Sequence, residues 1–591
     1  LTNRRAGLCF RAAISCAFGS IFTVFAILIS PSQTIFESSA RAEELLSTVF
    51  PVTAKQGMVA VANPHAARAG LEMLEAGGSA IDAAISAQMV LGLVEPQSSG
   101  IGGGGFLLHF NATSGAIESF DGRETAPASV TRDLFRKADG TLMSWPEAAS
   151  GGLSVGVPGV LRMLELTHRK HGQLPWARLF EPAIKLAEEG FIVSPRMSES
   201  IAGNGDLADF PVARAYFFAD GEPLQAGMRR DNPAYAETLR AIAAGGADVL
   251  YVGPIADDIV RAVQNAVNNP GALSVADMEV YEARQRSPVC APYRANMVCG
   301  MGPPSSGGLT TLQILGLVEH FDLAGAGANS LRAVHIIAEA SRLAFADRAL
   351  FMADSDYVAV PVAGLIDRGY LAERAALINL EHSMGKAGAG APPGSNRRAY
   401  AMQQRDHGKS TSHLAIVDAA GNAVSFTTSV ERGFGSRLMV RGFMLNNQLT
   451  DFSFEAGQNG ERIANQVEGG KRPRSSMAPA LVFGSDGKLL MAVGSPGGSR
   501  IIGYVTLALI ASLDWRMDAQ AALSLGHLIN RNGATELEAG SDLEVLAPAL
   551  EALGHEIKIR SLVSGLHAIQ VTAEGLSGGA DPRREGVVLG H

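Results

Sequence analysis

Gly408-Lys409-Ser410-Thr411-Ser412-His413 is a seam in this sequence, and what lies on either side of it sets the fold. Upstream, Gly385-Lys386-Ala387-Gly388-Ala389-Gly390-Ala391-Pro392-Pro393-Gly394 is low in complexity and reads as a flexible linker that reaches about residue 410. Downstream, the stretch from Ser412 to Val417 alternates apolar and polar side chains, Gly421-Asn422 turns the chain, and the stretch from Ala423 to Thr428 alternates again. That pattern predicts a hairpin. A threonine at such a junction carries a specific chemistry. Once the Ser410–Thr411 bond is cut, Thr411 is an N-terminal residue whose hydroxyl is a nucleophile and whose own α-amine is the base. An α-amine pKa of about 7.7–8.0 leaves a useful neutral fraction at pH 7.

The β pattern continues toward the C-terminus. Residues 480–483 and 489–493 predict a second hairpin around Ser485-Asp486-Gly487. Gly494-Ser495-Pro496-Gly497-Gly498-Ser499 follows, then a helix over about 500–513 with Ile501, Ile502, Val505, Leu509, Ile510 and Leu513 on one face. A Gly-Gly pair between a strand and a helix start offers free backbone N–H groups to an anion or a developing oxyanion. Toward the N-terminus, residues 58–62 predict a strand, and 66–76 and 80–93 predict two helices around Gly77-Gly78-Ser79. Gly102 to Gly105 must bring backbone close to something. Residues 159–350 read as mostly helical.

Composition narrows the function. The chain has 591 residues, of which 47% are hydrophobic and 18% charged, enough for a large core and too apolar for disorder. A net charge of -9 and 6% aromatics give no footprint for nucleic acid. Arg4, Arg5 and Arg11 precede an apolar run from Ala12 to Ile29, and small residues stand at Ala40 and Ala42. This order predicts a signal peptide over residues 1–42 and a periplasmic or secreted protein, with no membrane contact after its removal. Cys290 and Cys299 are then the only cysteines left, and export favours a disulfide between them over two buried thiols. Two motifs are decoys. Gly152-Leu153-Ser154-Val155-Gly156 lacks the strand and immediate helix of a nucleophile elbow, and Gly408-Lys409-Ser410 lacks the glycine of a phosphate loop at Gln403. No H-E-x-x-H occurs and the 13 histidines are scattered, so neither a metal nor a cofactor is expected.

From about Gly57 to Gly586 the sequence resembles the γ-glutamyltransferases (γ-glutamyl transpeptidases, glutathione hydrolases) of the N-terminal-nucleophile hydrolase superfamily. The resemblance is carried by Pro64-His65, the glycine run from Ile101 to Phe106, and the segment from Asp121 to Pro127. It continues through the segment from Gly302 to Gly308, Thr411-Ser412-His413, and Leu445-Asn446-Asn447-Gln448. The segments from Lys471 to Met477 and from Gly494 to Arg500, with Ala580-Asp581-Pro582-Arg583, complete it. It implies an α+β fold, a four-layer αββα sandwich. It also implies a precursor that cuts itself into a large chain of about 43–410 and a small chain of 411–591 that stay associated.

Position by position, Thr411 resembles the nucleophile and Ser410–Thr411 the cleavage site. Ser429 falls where the family places a hydroxyl on the nucleophile, and Gly497 and Gly498 resemble the oxyanion donors. Arg123 resembles the clamp for the substrate's α-carboxylate, with Ser475 and Ser476 adding hydroxyls; Asp451 resembles the α-ammonium partner, with Gln448 and Glu431 near it. The implied reaction moves a γ-glutamyl group from glutathione or related amides, through a Thr411 ester, to water or to an amino acid or dipeptide. A cephalosporin (glutaryl) acylase of the same fold is the rival, and a secreted pseudoenzyme that never processes is a third reading. Glu431 and Asp451 speak against the acylase, because a glutaryl group has no ammonium to pair with them. Two departures stand out: Ser412 replaces a threonine frequent after the nucleophile, and the loop from Phe452 to Glu461 lacks an obvious tyrosine cover.

Overall fold

The computed structural model describes residues 50–396, 400–401, 410–455 and 462–591. The expected signal peptide, residues 397–399 and 402–409 of the linker, and residues 456–461 of the loop after Asp451 lie outside the described residues.

Two seven-stranded sheets dominate. Their strands are Val52–Ala54 (β1), Met58–Val61 (β2), Gly104–Asn111 (β3), Ala116–Asp121 (β4), Arg284–Arg286 (β5), Val289–Tyr293 (β6) and Asn296–Gly300 (β7). They continue with Ser410–Val417 (β8), Ala423–Glu431 (β9), Ala480–Phe483 (β10), Leu489–Gly494 (β11), His567–Thr572 (β12), Gly575–Ala580 (β13) and Val587–Gly590 (β14). One sheet runs β14-β2-β8-β9-β3-β4-β5 and the other β1-β13-β12-β11-β10-β7-β6, with every neighbouring pair antiparallel.

The alternation read along β8 separates two cores rather than core from solvent. Ala415 and Val417 join Met58, Leu108 and Phe110 of the first sheet against Leu481, Phe483, Ala492 and Ile569 of the second. Leu414 and Ile416, pointing the other way, pack with Val59, Leu107 and Val424 against helices Pro64–Glu75 (α1) and Ala80–Val94 (α2). The outer face of the second sheet, including Val298, Val482, Met491 and Val493, packs on helices Gly307–Val318 (α3), Leu331–Phe351 (α4) and Ile501–Leu513 (α5). Each leucine or isoleucine so buried contributes about 1.5–3 kcal/mol, so both strand faces are fixed and the register cannot slip.

Local signals set the helix starts. Asn63 and Pro64 open α1, and Ser79 forms a reciprocal capping box with Asp82 at the start of α2. Both helices, both hairpins and α5 fall within a few residues of their predicted bounds. The segment 385–390 departs from its reading as a flexible linker. Asn532 exchanges hydrogen bonds with the Ala387 backbone at 2.7 and 2.9 Å, and Gly390 N donates to Asp347 at 2.7 Å. Arg374 donates to the Gly388 carbonyl at 2.9 Å. Ala387 and Ala389 are buried, so small residues here let the backbone lie flat on α4 side chains. Cys290 and Cys299 are direct cross-strand partners in the β6–β7 hairpin and are bonded. Among the described residues, no helix is long and apolar enough to cross a membrane.

Candidate active site

Thr411 lies near the start of β8, where the pairing with β9 shifts register. Ser410 faces Glu431 and Ser412 faces Thr428, so two residues of β9 oppose Thr411 alone. Such irregularities re-aim side chains. Here the irregularity brings the Thr411 hydroxyl to Ser429, donating to its Oγ at 3.3 Å. Ser429 in turn donates to the Ser410 carbonyl at 2.7 Å and accepts from Glu431 N at 2.8 Å. Glu431 has φ +84°, the left-handed region that a non-glycine residue occupies only under constraint. The glycine run is the other half of that constraint: a Cβ on Gly103 would lie 2.2 Å from the Ser429 carbonyl oxygen.

The structure brings Thr411, Ser429, Glu431, Gln448, Asp451, Ser475, Ser476 and Gly498 into one small cleft, with Met477, Ser499 and Ile501. Gln448 and Asp451 sit in one helical turn, and Gln448 Nε2 donates to Asp451 at 3.4 Å. The turn is fixed by Asn446, which bridges to the Gly102 and Gly156 carbonyls at 2.9 Å each. Ser475 and Ser476 are held by the segment from Gly302 to Gly308. Ser306 Oγ donates to the Ser475 carbonyl and Ser305 Oγ to the Met477 carbonyl, both at 2.6 Å. Arg348 donates to Ser476 Oγ at 2.6 Å.

Two of the catalytic and substrate-binding candidates do not line this cleft. Arg123 is fully buried behind it, donating to the Pro473 carbonyl at 3.1 Å and reaching the cleft through an ion pair with Asp451. Its Nη1 has no hydrogen-bond partner. Gly497 lines a neighbouring cleft of about 520 Å³ with Arg500, Tyr504 and Arg584. Its φ of +135° and the +61° of Gly498 turn the chain from β11 into α5.

The sequence reading missed the layer behind the nucleophile. Arg584 Nη1 donates to the Thr411 carbonyl at 3.0 Å. Burial, reinforced by Arg196, pushes the Arg584 pKa down to about 9. Ser412 Oγ donates to buried Glu95 at 3.2 Å and accepts from Ser99 at the same distance, and Ser410 Oγ donates to the Gln97 carbonyl. Glu124 is equally hidden: burial, opposed by Arg123, raises its pKa to about 8. A polar stretch, Glu95 to Gly100, directly after an entirely buried helix was the available signal.

Residues 66–591 match the family model described as Gamma-glutamyltranspeptidase. The chain belongs to this family. It is 35% identical to the glutathione hydrolase proenzyme of Bacillus subtilis (strain 168), over 91% of this chain and 92% of that one. It is also 35% identical to the acylase ACY 1 proenzyme of Pseudomonas sp. (strain SE83), over 91% and 94%. The crystal structure of cephalosporin acylase from Bacillus halodurans superposes with a TM-score of 0.81 at 28% identity, covering 92% of this chain and 97% of that one. A glutathione hydrolase and an acylase are therefore equally similar to the chain in sequence, and the cleft must separate the two readings.

Proposed function

We propose that this protein is a self-processing γ-glutamyltransferase with glutathione hydrolase activity, built as a four-layer αββα sandwich. The observation that carries the reading is Thr411 on a constrained strand end, in one cleft with Ser429, Glu431 and Asp451. In processing, Thr411 Oγ attacks the Ser410 carbonyl carbon, the Ser410–Thr411 amide breaks as an ester forms, and water then hydrolyses that ester. The products are the Ser410 carboxylate and a free Thr411 α-amine, ending a large chain at 410 and starting a small one at 411. Export by the signal peptide of residues 1–42, to the periplasm or the medium, belongs to the same reading.

In turnover, Thr411 Oγ attacks the γ-carbonyl of glutathione while the α-amine takes its proton. The Gly497 and Gly498 N–H groups meet the oxyanion, and the proton passes to the departing amine. Water, or the amine of an amino acid or dipeptide, then attacks the γ-glutamyl ester and frees Thr411. Arg123, Ser475 and Ser476 hold the substrate α-carboxylate, which takes over part of the guanidinium fork now shared with Asp451. Asp451, Glu431 and Gln448 hold the α-ammonium.

A glutaryl acylase is the second reading, supported by the acylase likeness. Two acidic side chains in the cleft, Glu431 and Asp451, favour the γ-glutamyl reading, since they suit a substrate ammonium that a glutaryl group does not carry. Intact mass under denaturing, reducing conditions tests the first step: two chains are expected, the smaller beginning at Thr411, and one uncut chain in a Thr411→Ala variant. Rates on γ-glutamyl and glutaryl anilides decide the substrate. A faster glutaryl reaction overturns the γ-glutamyl reading.

A further inference from the structure

His109, Glu118 and His171 are far apart in the chain and meet on one patch. His109 on β3 and Glu118 on β4 are direct cross-strand partners, so their side chains leave the sheet on the same face. That face is covered by the helix Val160–His171, whose last residue completes the group. One ligand atom from each lies within 4.8 Å of the other two: His109 Nδ1, a Glu118 carboxylate oxygen and His171 Nε2. Glu118 Oε2 is 3.8 Å from His109 Nδ1 and 2.5 Å from His171 Nε2, and the two imidazole rings are 4.0 Å apart.

The group is under-satisfied as it stands. His109 is 2% exposed and its Nδ1 is a buried atom without a hydrogen bond, while the His171 Nε2 meets the Glu118 carboxylate at 2.5 Å. Buried polar atoms are normally paired, and each specific exception calls for a cause. Here two imidazole nitrogens converge on one carboxylate, and a single cation would satisfy all three. Two imidazoles and a carboxylate form a donor set suited to zinc and its neighbours. Tetrahedral zinc with bonds of about 2.0–2.1 Å needs donors roughly 3.4 Å apart. Shifts of about an ångström in side-chain torsions reach that spacing. Lys170 Nζ holds the other carboxylate oxygen, Oε1, at 3.3 Å, which leaves Oε2 for the ion. Its own charge weakens cation binding, so affinity in the micromolar range is the expectation. Glu118 and His171 keep 19% and 16% of their side chains exposed, enough for entry and for a water as fourth ligand.

We propose that His109, Glu118 and His171 bind one divalent transition cation of the zinc class, pinning the end of the helix Val160–His171 to the β3–β4 edge. The site is structural. On β9, the partner of His109 is Val424 and that of Gly104 is Ser429, five residues further on, so about 17 Å of strand separates it from the nucleophile. The scatter of these residues through the sequence hides the site from any spacing rule.

The test uses the full purified protein, stripped with a chelator and titrated with zinc chloride or cobalt chloride. Wild type is expected to hold about one equivalent, with the visible ligand-field bands of low-coordinate cobalt. At a hundredfold excess over Kd, zinc should raise its Tm by about 2 °C. His171→Ala and Glu118→Gln, both partly exposed and outside the catalytic cleft, should weaken binding at least tenfold, lose the bands and the Tm shift, and keep γ-glutamyl turnover. No stoichiometric binding to wild type, or binding that survives in both variants, overturns the proposal; the first outcome would leave a simple His171–Glu118 ion pair.

Discussion

The Ser429 hydroxyl donates to the Ser410 carbonyl at 2.7 Å, the carbonyl whose carbon Thr411 attacks in the proposed cleavage. The Thr411 hydroxyl points at the same Ser429 oxygen, 3.3 Å away. One side chain therefore both polarises the scissile carbonyl and receives the hydrogen bond of its attacker. A developing oxyanion loses about 10²–10³ in rate when one such donor is removed. Ser429→Ala should slow the appearance of the two chains by that factor on a denaturing gel, while Ser429→Thr, which keeps the hydroxyl, should process near the wild-type rate. An alanine variant that cuts at the normal speed would remove Ser429 from the mechanism.

Asp451 has two charged neighbours in prospect, Arg123 in the structure and the substrate ammonium in the proposed complex. Asp451→Asn keeps the shape and removes the charge. Losing a charge-assisted hydrogen bond of about 1.5–3 kcal/mol should lower kcat/KM for a γ-glutamyl anilide roughly 10–100-fold. The glutaryl anilide, which has no ammonium, should lose far less. The informative quantity is the ratio of the two rates in wild type and variant. An unchanged ratio would mean that Asp451 acts only as a support for Arg123.

The hairpin at β8–β9 was legible because its alternation and its Gly421-Asn422 turn are local signals, and α2 because Ser79 and Asp82 cap it within one turn. The site was legible where its residues sit inside short motifs, as with Thr411, Asp451 and Ser475. Arg584 and Glu95 escaped because nothing local marks them: their role comes from the fold bringing positions 173 and 317 residues distant to the nucleophile strand. Low complexity misled at 385–390, where small residues serve close packing on Asp347 and Asn532 rather than mobility.

Arg584 is a positioning residue by this geometry. It holds the Thr411 backbone carbonyl and touches no reacting atom. Arg584→Met should lower kcat about tenfold with KM within a factor of two, the value of one hydrogen bond from a charged donor at its low end. Arg584→Lys should recover part of the loss. Steady-state kinetics with a γ-glutamyl anilide reads the split. A rise in KM alone would place Arg584 on the substrate instead.

Glu124 should leave a mark on stability rather than on chemistry. It is fully buried, both carboxylate oxygens lack hydrogen bonds, and Arg123 Nη1 is 3.7 Å away. Burial raises its pKa from 4.5 to about 8, against the pull of Arg123. Between these two values the folded protein keeps the proton and the unfolded chain has lost it. The unfolded state then binds fewer protons, so this group makes stability fall as pH rises from 4.5 to 8 and level off above. The whole difference is on the order of 5 kcal/mol. Glu124→Gln removes the titration and keeps the shape. Its Tm should run parallel to wild type near pH 5 and exceed it by about 3 °C at pH 8. A Tm difference that stays constant across this range would show that Glu124 ionises in the folded protein, paired with Arg123.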